Sequence, residues 1–82
     1  MTEYNLTWIP PDNQPHRTVR LRDITSDDFL TAASDAGLPC GDFTDEFLYR
    51  TLYSLLYQLQ RSGDAEVSLH KRGSILVVPR AV

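Results

Sequence analysis

From Asp45 to Arg61 the chain contains neither Pro nor Gly, and leucines recur at Leu48, Leu52, Leu55, Leu56 and Leu59. At about 100° per residue these five fall on one face of a helix. Tyr49, Tyr53 and Tyr57 form an i, i+4, i+8 row along its flank, while Arg50, Ser54, Gln58 and Arg61 fill the opposite side. Thr44 or Asp42 supplies the N-cap and Gly63 the stop, and acids at the start with Arg61 at the end complement the helix dipole. A helix with so wide a leucine face organises the fold, because that face needs another layer to cover it.

The layer is available on both sides of the helix in sequence. Asn5 to Ile9 alternates polar and apolar, with Tyr4, Leu6 and Trp8 on one side, until Pro10-Pro11-Asp12-Asn13-Gln14-Pro15 interrupts any regular element. Thr18 to Arg22 alternates again, with Val19 and Leu21 inward and Thr18, Arg20 and Arg22 outward, so the two segments predict an N-terminal hairpin with a long, proline-stiffened loop. Ala65 to Val78 predicts a second hairpin: Ala65, Val67 and Leu69 alternate with Glu66, Ser68 and His70 up to Lys71-Arg72-Gly73, where the Gly can take positive φ. Ile75 to Val78 is apolar on both faces, as in a strand inside a sheet or beneath a helix, and Pro79 ends it.

A first, shorter helix begins at Thr25 as N-cap, with Asp28 in a capping-box-like position and Ile24 and Phe29 placed as a hydrophobic staple. Phe29, Ala32, Ala33 and Ala36 give it a narrow stripe of mostly small side chains, and Gly37 with Leu38-Pro39 ends it. The order is β-β-α-α-β-β, predicting one α+β domain over residues 1–82 with an N-terminal hairpin, two helices and a C-terminal hairpin.

Eighty-two residues, 41% of them hydrophobic and 23% charged, suffice for one core. The lone Cys40 cannot form an internal disulfide, so packing must hold that core. No apolar run approaches the roughly 20 residues that span a bilayer, and Met1-Thr2-Glu3-Tyr4 lacks the basic and apolar parts of a signal peptide; the expectation is a cytoplasmic chain without a membrane partner.

Templates for chemistry each lack a part. His16 and His70 have no His or Cys at metal-ligand spacing, and Cys40, just before the long helix, has no base at a fixed spacing. Asp27-Asp28 and Asp45-Glu46 are adjacent carboxylates at helix starts, which point apart and serve as capping and dipole charges. Gly37, Gly41, Gly63 and Gly73 are isolated, so no phosphate-cradling loop exists. A non-catalytic protein without metal or cofactor is expected.

The net charge of −3 conceals a block: from Asp23 to Glu46 there are seven acids and no Lys or Arg. Such a block steers toward a basic surface, unless the acids only serve the helix starts. Tyr offers large, stiff, amphipathic contact area. The leading reading is therefore a protein-interaction module, an adaptor, assembly factor or stoichiometric inhibitor, that meets a basic partner protein through Tyr49, Tyr53 and Tyr57 with Asp27, Asp28, Asp45 and Glu46. The competing placement has the tyrosine row packed under the sheet.

Two resemblances bear on function. The long helix followed by a hairpin with Lys71-Arg72-Gly73 at its tip resembles the last helix and wing of a winged-helix DNA-binding domain, over about half of the chain. That resemblance implies nucleic-acid binding through Arg50, Ser54, Gln58, Arg61, Lys71 and Arg72; the chain departs from it in having two helices, the first of them acidic. The stretch from Thr18 to Phe29, a strand leading into a capped acidic helix, is similar to small phage tail-assembly chaperones over the first half of the chain, which implies a phage-type accessory protein.

Overall fold

The computed structural model describes residues 3–12, 16–41 and 43–80, arranged in the predicted order. Strands β1 (Tyr4–Ile9) and β2 (Arg17–Leu21) are followed by helices α1 (Ser26–Asp35) and α2 (Asp45–Ser62), then by β3 (Ala65–Ser68), a 3-10 turn over His70–Arg72, and β4 (Ser74–Pro79). The four strands make one antiparallel sheet in the order β2-β1-β4-β3. The N-terminal and C-terminal hairpins thus meet at the centre, with Leu6 opposite both Val19 and Val77. β4, apolar on both sides, occupies the internal position that its composition predicts.

Strand alternation decides where the helices lie. Tyr4, Leu6, Trp8, Val19, Leu21, Ala65, Val67, Ile75 and Val77 belong to or pack against the core, together with Phe29, Ala32, Ala33, Leu48, Leu52 and Leu55 of the helices. Their strand neighbours Asn5, Thr7, Thr18, Arg20, Glu66 and Leu76 do not, so both helices cover the same face and the other face is left without a helix. α1 lies against β2 and β1, and α2 against β3. Phe29, Leu6, Leu21, Leu55, Leu69, Ile75 and Val77 are fully buried.

The helix boundaries follow their caps. Thr25 Oγ1 accepts from the Asp28 N–H at 3.3 Å, and Thr44 Oγ1 from the Phe47 N–H at 3.1 Å. Thr44 is therefore the cap of α2; Asp42, the other candidate, lies outside the described residues, as does the 13–15 part of the proline-rich loop. α1 ends in two reversed bonds, Leu38 N–H to the Ala33 carbonyl at 2.9 Å and Gly37 N–H to Ser34 at 3.0 Å, with Gly37 at φ 96° and Leu38 buried beneath the turn. Gly37 also lies against the Trp8 ring, whose Nε1 donates to the Arg72 carbonyl at 2.7 Å and pins the hairpin tip to β1. Gly73 is the most constrained position: at φ 85° and ψ −143°, a Cβ there would overlap the Ile9 carbonyl oxygen.

One expectation about α2 needs correction. Leu48, Leu52 and Leu55 are buried, but Leu56 is 41% exposed and Thr51 is buried in its place. On the helical wheel Leu56 and Thr51 flank the leucine face on opposite sides. The sheet lies toward Thr51, whose hydroxyl is satisfied by donating to the Phe47 carbonyl at 2.9 Å, so a hydroxyl goes inside and a leucine outside.

Candidate interaction face

Three tyrosines and a leucine share the outward side of α2. Tyr49 is 64%, Tyr53 74%, Tyr57 51% and Leu56 41% exposed, and these are the large hydrophobics most open to solvent among the described residues. The tyrosine row therefore does not pack under the sheet. Its spacing continues through Glu46 at the start of the helix to Gln60 near its end, so the strip is one continuous side of the helix. Tyr53, Leu56, Tyr57 and Gln60 border a shallow hollow of about 180 Å3. Arg61 fixes one end: its Nη1 donates to the Tyr57 hydroxyl at 2.7 Å, and its guanidinium lies 5.5 Å from the centre of the Tyr57 ring. Leu56 and Gln60 were missed as members of this strip in the sequence reading; the signal available for them was their angular position beside the tyrosines.

The acids divide between two places. Asp45 and Glu46 are exposed in the first turn of α2, at the end of the tyrosine strip. Asp27 and Asp28 occupy the first turn of α1, which lies against β2, at the other end of the sheet from the β3 that α2 covers. Asp28 lines a hollow there with Asp35, Arg20 and Arg22. The acids that begin the two helices, Asp27 and Asp28 on one side and Asp45 and Glu46 on the other, thus do not make one acidic surface.

The winged-helix strip is divided as well. Arg50 is exposed, but Ser54 and Gln58 are half-buried rather than forming an exposed row with it. Gln58 faces the outer edge of β3, its Oε1 accepting from the Glu66 N–H at 3.1 Å and its Nε2 donating to the Glu66 carbonyl at 3.0 Å and to Ser54 Oγ at 3.2 Å. Arg61 is engaged by Tyr57. At the hairpin tip, Lys71 is exposed, whereas Arg72 lies 5.3 Å and 5.5 Å from the centres of the Phe43 and Phe47 rings. Arg50 borders a hollow of about 270 Å3 with Thr51, Ser68 and His70, and His70 takes φ 56° to turn the chain there.

The other chemistry-bearing residues are dispersed. His16 is exposed just before β2, and Cys40 is half-buried in the loop between the helices, its Sγ 3.4 Å from the Leu38 carbonyl. Among the described residues no three of His, Cys, Asp and Glu come together in a way that could hold a metal ion, and no helix is long and apolar enough to cross a membrane. Fold and surface together define a two-layer α+β domain that presents an aromatic helix strip. Comparison with protein-family models, with curated proteins and with solved structures found no match to this chain.

Proposed function

We propose that this domain is a non-catalytic protein-interaction module that docks a partner protein through the outward strip of α2. The observation that carries the reading is the exposure of Tyr49, Tyr53, Leu56 and Tyr57 along one side of one helix. Large aromatic side chains left in water on a rigid element suit a buried contact, because they offer wide area at little loss of side-chain freedom. The Arg61 bond to Tyr57 adds to this by holding one ring before any partner arrives. Asp45 and Glu46 at one end favour a partner whose matching end is basic.

A photo-crosslinking residue placed at position 53 or 57, in cells that make the protein, is expected to join the same partner, with none joined from position 71. Against that purified partner, Tyr53→Ser should weaken binding at least tenfold and leave the melting temperature unchanged. Equal affinity for the Tyr53→Ser variant would overturn the reading. Steeply salt-dependent binding to duplex DNA that falls on Arg50→Ala would support the winged-helix resemblance instead.

A further inference from the structure

The outer strand β2 is open in a way that β3 is not. It is bonded to β1 on one side only, so alternate N–H and C=O groups of Arg17–Leu21 face outward. Among the described residues no loop backbone bonds to them, and the strand's side-chain bonds run to other groups, Thr18 Oγ1 with Thr7 Oγ1 and the Arg20 guanidinium with the Glu3 carboxylate. Beside this edge runs a hollow of about 360 Å3, lined by Arg20 and Arg22 from the strand side and by Asp28, Thr31, Ala32 and Asp35 from α1. An extended chain laid there would find backbone partners along β2 and the helix as a wall.

The charges on the two sides of this slot differ in sign. Leu21 is buried toward the helix layer, so strand alternation directs Thr18, Arg20 and Arg22 to the other face of the sheet and Arg17 to the helix side; Arg20 is ion-paired with Glu3, and Arg22 is exposed beside it. Asp28 and Asp35, about two helical turns apart with Thr31 between them, belong to the helix side. An added strand alternates in the same way, with one set of side chains toward α1 and the other beside Arg22.

We infer that the slot between β2 and α1 accepts an extended peptide segment of a partner protein, with Lys or Arg toward α1 and Asp or Glu toward the open face of the sheet. A second copy of this chain is a poor occupant. Two β2 strands paired about a two-fold axis set the Asp28–Asp35 sides of two α1 helices together on one face, where like charges meet, and bring the two Arg22 side chains to the other, where the Arg20–Glu3 pairs add no attraction. A partner strand of alternating sign meets complementary charge in both layers.

The test uses the intact protein and two synthetic peptides of identical composition, Thr-Lys-Glu-Lys-Glu-Lys-Thr and Thr-Lys-Lys-Lys-Glu-Glu-Thr. Titration followed by amide NMR is expected to give saturable shifts within residues 17–22 and 28–35, with the alternating peptide bound at least tenfold more tightly than its isomer. Methylating the backbone nitrogens of the alternating peptide on its strand-pairing side should abolish the shifts without any change to the protein. The double variant Asp28→Asn, Asp35→Asn, verified as folded by its melting curve, should lose at least tenfold in affinity. Equal affinity for the two peptides, shifts centred elsewhere, or binding that survives backbone methylation would overturn the inference. So would β2 shifts that appear on concentrating the protein alone with a doubling of mass, since the occupant would then be a second copy. Tyr53→Ser should leave peptide affinity unchanged, so failure here and failure of the α2 reading are separable.

Discussion

The two outer strands of this sheet are finished by different means. At β3 a single side chain from α2, Gln58, imitates a neighbouring strand by both donating to and accepting from the Glu66 backbone. At β2 no side chain among the described residues does this, and the edge is instead bordered by Arg20 and Arg22 and by Asp28 and Asp35 of α1. A seal of the first kind occupies the outward groups of Glu66 whatever strand approaches; charge of the second kind opposes only strands of the wrong pattern. One outer strand is thus removed from recognition while the other is kept selective.

The largest effect is expected from Gly73→Ala, which should destabilise by on the order of 4 kcal/mol, because an added Cβ overlaps the Ile9 carbonyl and the φ, ψ pair suits Gly alone. Chemical denaturation of the variant tests whether the β3-β4 hairpin has any other way to seat against β1. Leu55→Ala should cost about 3 kcal/mol by opening a cavity where α2 meets the core. If that loss stayed under about 0.5 kcal/mol, α2 would not be anchored through this residue and could not hold Gln58 against β3.

Gln58→Ala sharpens the comparison most directly. It should cost about 1 kcal/mol, since the Glu66 groups it releases are open to water. Hydrogen exchange at the Glu66 amide should rise to the rate of the outward amides of β2. Unchanged exchange at Glu66 would mean that the two edges do not differ as described. The smallest effect belongs to Leu56→Ala, at about 0.5 kcal/mol or less by the same denaturation experiment, because 41% of the residue already faces solvent.

What could be read from the sequence was what neighbours in sequence determine. Thr25, Thr44, Gly37 and Gly63 act through bonds within a few residues of themselves, and the helices begin and end accordingly. The strand order β2-β1-β4-β3 was not legible, since the β1-β4 pairing joins segments about seventy residues apart. Leu56 and Thr51 show the same limit on a smaller scale. Periodicity marks the flanks of a helix face, but the sheet decides which flank is covered. Of the binding residues, the tyrosines follow from their spacing, yet their exposure depends on that same tertiary choice. Gln58, placed in sequence among nucleic-acid-binding candidates, instead closes on Glu66 because the turn at Gly63 brings β3 back beside α2.

The central pairing of β1 with β4 also sets how this chain must reach its native state. Trp8, the one tryptophan, bonds to Arg72 across 64 residues, and Arg80 N–H reaches the Glu3 carbonyl at 2.8 Å. Until β4 arrives, β1 has a partner on one side only and the leucine face of α2 lacks Ile75 and Val77 to pack on. A chain not yet extended through β4 therefore leaves the apolar faces of β1 and α2 without these partners, in the condition that chaperones and proteases recognise. Native pairing requires closing a loop of about seventy residues, so folding is expected to be slower than that of a helical bundle of equal length. Trp8 fluorescence sits where that closure can be timed.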